Sequence, residues 1–265
     1  MLMAQIILPG ASAYERKSQR IDHAALSASH EVTVVSVEDA ARSGAQVAHV
    51  YGAPDAASFV RFPLPYVASA PLPSTRWSLR KPVPPRAVAS PLGEPAVPEA
   101  VEEIWFASQR GNVARDGKIV ASFARDGIGS MVDRTLSRIG RFRSDVTWHL
   151  YEKEPNPADL AGVDAWIDPT AGENDFDGFV AEALVLGLPV VAARTPINSR
   201  RLENGRTGFL VPVNDPNEMT HAILAALFKV EVAESRQSAA KQTVSKFRPR
   251  QRLRILTRLY EQQIS

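Results

Sequence analysis

The 265-residue chain contains no cysteine. That excludes a disulfide framework, a thiolate metal site and a cysteine nucleophile. It also lacks any apolar run near the ~18 residues that a membrane-spanning helix needs. The longest such run, 183–193, is interrupted by Gly187 and Pro189. The opening MLMAQIILPG has no basic region and no small-residue cleavage site, so it reads as a strand and not as a signal peptide. No Gly-x-Ser-x-Gly, Walker loop or Gly-x-Gly-x-x-Gly is present, which removes support for a hydrolase elbow, a nucleotide hydrolase or a dinucleotide fold. His23, His30, His49, His149 and His221 show no metal-ligand spacing, and no metal site is expected. These absences fit a cytoplasmic enzyme.

What is present is ordinary for a globular chain: 45% hydrophobic residues, and enough length for one large or two small domains. The net charge is only +2, but it is unevenly placed. From Lys229 onward nine Lys/Arg stand against three Glu. Such a tail suits nucleic acid, the anionic inner face of a membrane or a phosphorylated substrate; equally, it is the solvated face of a helix. Leu253, Leu256 and Tyr260 recur there at helical spacing, so this helix is expected to pack on something.

Residues 3–51 read as strand, helix, strand and a further strand: AQIILPG, AYERKSQRIDHAALSAS, HEVTVVSV and AQVAHVYG. That order argues for a parallel βαβ unit. Eight of the twenty prolines then fall between Pro71 and Pro98, and the stretch reads as an extended connection. From 101 to 228 strands and helices alternate again, ending in a helix opened by Asp215–Pro216. The expected organisation is an N-terminal parallel α/β domain at 1–78, with about three strands before the prolines, and a proline-rich linker at 79–100. A C-terminal Rossmann-like domain follows at 101–228, with basic helices at 229–265 packing back across the domains. The ligands of such parallel sheets sit at the carboxyl ends of the strands.

One stretch, DGFVAEALVLGLPVVAA at 177–193, concentrates the chemistry. An otherwise apolar helix carries one acid, Glu182, just before a strand that reads as fully covered. Either Glu182 is a first-turn acid on the solvent side, favouring the helix dipole by ~0.3–1 kcal/mol, or it points into a site.

The longer block NDFDGFVAEALVLGLPVVAARTPINSRRLENGRTGFLVPVNDPNEMTHAI resembles the C-terminal domain of family 4 glycosyltransferases of the GT-B fold. That family shows a Glu, seven residues, a second Glu, then Gly-x-Pro-Val-Val-Ala, and later Gly-x-x-Gly-x-Leu-Val-Pro before Asp-Pro. The resemblance covers most of 101–265 and parts of 1–51, and its specific part is 174–213. It implies an α/β, GT-B-like architecture of two Rossmann-like parallel-sheet domains, the N-terminal one reduced. It further implies transfer of a sugar from a nucleotide-sugar, UDP-, GDP- or ADP-linked, to an acceptor with retention, and no metal or other cofactor.

Residue by residue, Glu182 matches the second Glu of the family, which accepts hydrogen bonds from the nucleotide ribose. The amides of Asp177, Gly178 and Phe179 match those that hold the diphosphate at a helix start. The first Glu, which holds the transferred sugar, falls on Asn174, between Glu173 and Asp175. The family's two diphosphate cations fall on Ser122 and Gly127, leaving Arg125 as the nearby substitute. Arg194, Arg200 and Arg201, in RTPINSRR, read either as replacement phosphate cations or as a solvated basic loop. Gly10 stands where the family's first loop approaches the donor. The missing cations and short first domain leave a second reading open: a non-catalytic binding or partner subunit. The acceptor site, which the family's first domain builds, is then expected to be small, open or completed by another chain, identical or different.

Overall fold

The computed structural model describes residues 1–8, 11, 13–51, 64–68, 87–88, 99–108, 116–125, 127–172 and 178–264. The first elements in chain order are β1 (Leu2–Ile7), α1 (Ala13–Leu26), β2 (Glu31–Val34), β3 (Val47–Tyr51), β4 (Tyr66–Ala68) and β5 (Ala87–Val88). There follow α2 (Glu103–Ala107), β6 (Lys118–Phe123), α3 (Gly129–Ile139), β7 (Val146–Tyr151), β8 (Ala165–Asp168) and α4 (Val180–Leu186). The chain ends with β9 (Val190–Ala193), α5 (Pro196–Arg201), β10 (Phe209–Val211), α6 (Pro216–Phe228), α7 (Val230–Thr243) and α8 (Pro249–Ile264). Two compact units result: Met1–Val101 together with Lys246–Ser265, and Glu102–Ser245. The last helix therefore belongs to the first unit, and α6 and α7 to the second.

In the first unit all pairings are parallel, in the order β2-β1-β3-β4-β5. Side chains alternate across the sheet, as the period of two requires. Ala4, Ile6, Ala48, Val50, Tyr66 and Ala68 line one face. Met3, Val47 and Val67 line the other, against Leu26 of α1 and Leu256, Leu259 and Tyr260 of α8. The helical spacing in the C-terminal tail thus packs as expected. Arg250, Arg254 and Arg258 lie exposed at i, i+4 and i+8, whereas Arg252 is buried. The short strands β4 and β5 lie in or beside the proline-rich stretch that reads from sequence as a connection. β5 is the edge of the sheet, where a chain rich in proline is tolerated because few ladder donors are needed.

In the second unit the order is β10-β9-β8-β6-β7, again parallel throughout. Its core joins Val120, Ile167, Val191 and Phe209 of the strands to Met131 of α3 and Met219 and Ile223 of α6. Thr195 accepts from the Asn198 amide at 3.2 Å and caps α5, with Pro196 next. Asp215 caps α6 in the same way, accepting from the Asn217 and Glu218 amides at 3.0 and 3.1 Å. Each cap contributes about 1 kcal/mol. In GRTGFLV the two glycines have different causes. Gly205 has φ +96°, and a Cβ on Gly208 would stand 2.7 Å from Leu202 Cδ2 and 3.1 Å from the Val190 carbonyl oxygen.

Candidate functional site

In the second sheet β7 lies on one side of β6 and β8 on the other, so the strand order reverses between β6 and β8. Their carboxyl ends form the topological switch point, where open α/β sheets bind ligands. The chain leaves β6 through Ala124–Arg125 and leaves β8 through Pro169–Thr170. Arg125 Nη2 stands 3.9 Å from Oδ1 of Asp168, the last residue of β8, with side chains 13% and 3% exposed. That is a charge contact longer than a hydrogen bond. The carboxylate is otherwise held closely. Its Oδ1 accepts from the Thr170 hydroxyl at 2.6 Å and from the Thr170 amide at 3.3 Å. Its Oδ2 accepts from Asn198 Nδ2 at 2.9 Å. Asn198 also donates to the Ala193 carbonyl at 3.2 Å and accepts from Arg201 Nη1 at 3.4 Å.

Gly178 lies directly against this pair. A Cβ there would stand 2.7 Å from Asp168 Oδ2 and 2.9 Å from Arg125 Nη2, so only glycine allows so close an approach. The Gly178 carbonyl accepts from Trp166 Nε1 at 2.6 Å. The next residue, Phe179, is the N-cap of α4 at φ 51°, ψ 22°, in the left-handed region. Its ring packs 5.0 Å from that of Phe123 and 6.5 Å from that of Trp166. A buried aromatic held at positive φ costs ~1–3 kcal/mol and persists only where its surroundings over-determine it.

Glu182, in the first turn of α4, is completely buried. It is therefore not a solvent-side partner of the helix dipole. Gly178 lies against Arg125, and Phe179 and Glu182 follow it at the start of α4. Ser122 is buried on β6 and accepts from Trp148 Nε1 at 2.8 Å, and Gly127 has φ +81°. Neither supplies a cation. Arg194 and Arg200 are exposed, but Arg201 is buried beside Asn198, so this segment is not a solvated loop throughout. It is the capped helix α5. Asn174, Asp177 and Gly10 lie outside the described residues. Among the described residues no group of three or more His, Asp or Glu stands together to hold a metal, and no helix is long and apolar enough to cross a membrane.

Sequence reasoning passed over Asp168, Thr170 and Asn198. The signal for the first was an acid closing an apolar strand just before a proline, in AWIDPT. The signal for the last was the Thr195–Pro196 cap, which turns a polar run into a helix.

Two α/β units, each with a parallel sheet among the described residues and one with an ion pair at its switch point, define a Rossmann-like architecture. Residues 117–228 match the family model Glycosyl transferases group 1. The phosphatidyl-myo-inositol mannosyltransferase of Mycobacterium leprae (strain TN) is 34% identical over 83 residues, or 31% of this chain. That match spans 22% of the relative's own length. Among solved structures, a glycosyltransferase from Rickettsia africae ESF-5 superposes with TM-score 0.73 at 12% identity, covering 100% of this chain and 99% of its own. HepE of Anabaena, in complex with UDP and glucose, superposes with TM-score 0.71 at 12% identity, covering 99% of this chain and 100% of its own. The chain has the GT-B-like fold of these structures.

Proposed function

We propose that this chain is a glycosyltransferase that takes a sugar from a UDP-, GDP- or ADP-sugar and transfers it to an acceptor, with retention. The observation that carries this reading is the buried carboxylate of Glu182, on a helix whose entry glycine lies against the switch-point cation Arg125. A carboxylate only accepts hydrogen bonds and takes two hydroxyl donors at once, which suits a ribose diol. The Gly178 and Phe179 amides suit a diphosphate. Arg125 offers fixed positive charge where the leaving group becomes more negative. The family match over 117–228 supports the reading, as does the UDP held by a structure of the same fold. Because amides and a guanidinium carry the phosphate charge, turnover is expected to survive EDTA.

The test is thermal unfolding with UDP, GDP and ADP in turn. One of them is expected to raise the melting temperature, and Glu182→Ala to abolish the rise; an unchanged rise in the variant would defeat the assignment. A second reading, a non-catalytic nucleotide-sugar-binding partner, is favoured by Ser122, which puts a hydroxyl where the family has a cation. Sugar release from a panel of UDP-, GDP- and ADP-sugars separates the two, since only the enzyme yields free sugar or product.

A further inference from the structure

We infer that Asp168 is the positioning residue of this site, setting the place of the Arg125 guanidinium against the entry to α4. The inference rests on the nucleotide-sugar reading above. Three independent features of the carboxylate point to this role. It closes β8 at the switch point, so the sheet itself fixes its Cα. Both of its oxygens are directed by neutral donors: the Thr170 hydroxyl at 2.6 Å on one and Asn198 Nδ2 at 2.9 Å on the other. Those donors lock the carboxylate plane without neutralising its charge, so the attraction for a cation is retained. That cation is Arg125, 3.9 Å away and approached by no hydrogen bond along this contact. An attraction of this length draws the guanidinium toward the end of β8 without a bidentate bond to this carboxylate.

The third feature is steric. Gly178 packs on Asp168 and Arg125 together, so the pair forms the floor under the backbone that leads into α4. Through Asn198 and Arg201 the same carboxylate also reaches α5. A cation in a flexible loop after β6 would hold a diphosphate weakly, because its ordering would have to accompany binding. Asp168 holds it in place beforehand.

The experiment is a double-mutant cycle read as affinity for whichever of UDP, GDP and ADP binds the wild type. Arg125→Ala is expected to weaken that nucleotide about tenfold or more in the wild-type background, as loss of a charged hydrogen bond does. In the Asp168→Asn background the same change is expected to cost less than about twofold, because the guanidinium is already misplaced. A purely structural Asp168 lowers melting temperature without altering what Arg125→Ala costs, so equal costs in both backgrounds overturn the inference. Where Asp168→Asn does not fold, Thr170→Val serves. It removes the 2.6 Å donor without touching charge, and it is expected to shrink the cost of Arg125→Ala; an undiminished cost again overturns the role. If no nucleotide binds the wild type, the site reading fails and this inference with it. If one binds and Arg125→Ala costs nothing in either background, the positioning role alone is refuted and Glu182 remains the nucleotide residue.

Discussion

Arg252 Nε and Nη2 donate to the two carboxylate oxygens of Asp22 at 2.7 and 2.9 Å, although 230 residues separate the pair in sequence. Both side chains are buried, at 1% and 2% exposure. The contact fixes α8 on α1 and ties the end of the chain into the first unit. Around it runs a polar chain: Tyr51 donates to Asp22 at 2.9 Å, Gln5 to Tyr51 at 3.3 Å and Gln19 to Gln5 at 2.8 Å. Removing one ion leaves the other buried and uncompensated. Arg252→Met is therefore expected to destabilise the first unit by about 3–5 kcal/mol. Asp22→Asn added to Arg252→Met is expected to recover much of that loss, since neither position of the pair then carries a charge. Urea midpoints of the wild type, the single and the double variant measure this; a double variant less stable than the single would contradict it.

His49 lies inside the same unit, 2.6 Å from the Tyr260 hydroxyl and stacked on Tyr51 with ring centroids 4.1 Å apart. Burial, and after it the nearby Arg252 charge, holds its pKa well below the ordinary 6.5. The imidazole is neutral in the folded protein and takes up a proton only on unfolding. A base depressed in the folded state contributes its full stability above the unfolded pKa. That stability declines as pH falls below 6.5 toward the lowered folded value. The slope from this one group is about 1.4 kcal/mol per pH unit. Urea unfolding at pH 7.5 and 5.5 is expected to show the loss, and His49→Gln to flatten it. An equal slope in the variant would place its origin elsewhere.

Gly178 and Gly129 make opposite predictions from the same substitution. At Gly178 a methyl group meets Asp168 Oδ2 at 2.7 Å and Arg125 Nη2 at 2.9 Å, so the ion pair or the α4 entry must shift. Gly178→Ala is expected to abolish thermal stabilisation by nucleotide while the protein still folds. At Gly129, the first residue of α3, nothing lies within 4 Å of the added carbon. Gly129→Ala is expected to stabilise by up to about 0.5–1 kcal/mol through lower unfolded-state entropy and better helix propensity. It should leave nucleotide stabilisation as it is. Thermal unfolding of both variants with and without UDP, GDP and ADP checks the pair.

The strand–helix alternation, the Asp215–Pro216 helix start and the helical spacing of the tail were legible because each is written in adjacent residues. The site was legible only in part, for a geometric reason. Arg125, Asp168 and Asn198 come from three elements, and they meet because β8 pairs with β6 on the side away from β7. Sheet order of this kind leaves no local mark. The burial of Glu182, which removes its solvent-side reading, is likewise not determined by its own helix. β5 was hidden because prolines that disfavour a central strand are acceptable beside an edge one. Arg252 read as one more basic residue in a basic tail; its partner, in the first helix of the chain, gave no sign in the tail itself.

Phe179 offers a test of the conformation at the entry to α4. Its left-handed φ of 51° strains any side chain but suits glycine, while the residue is 4% exposed and its ring packs between Phe123 and Trp166. Two opposing terms therefore separate two substitutions. Phe179→Ala loses the ring, at about 3–5 kcal/mol, and keeps the strain. Phe179→Gly loses the same ring but is relieved of roughly 1–2 kcal/mol of backbone strain. Both variants are expected to be less stable than the wild type, with Gly the more stable of the two by about 1 kcal/mol. That order is the reverse of what a helix interior would give, where alanine exceeds glycine by about 1 kcal/mol. Urea denaturation of the two variants decides it: alanine the more stable would mean that residue 179 is ordinary helix and that the chain enters α4 without the left-handed turn.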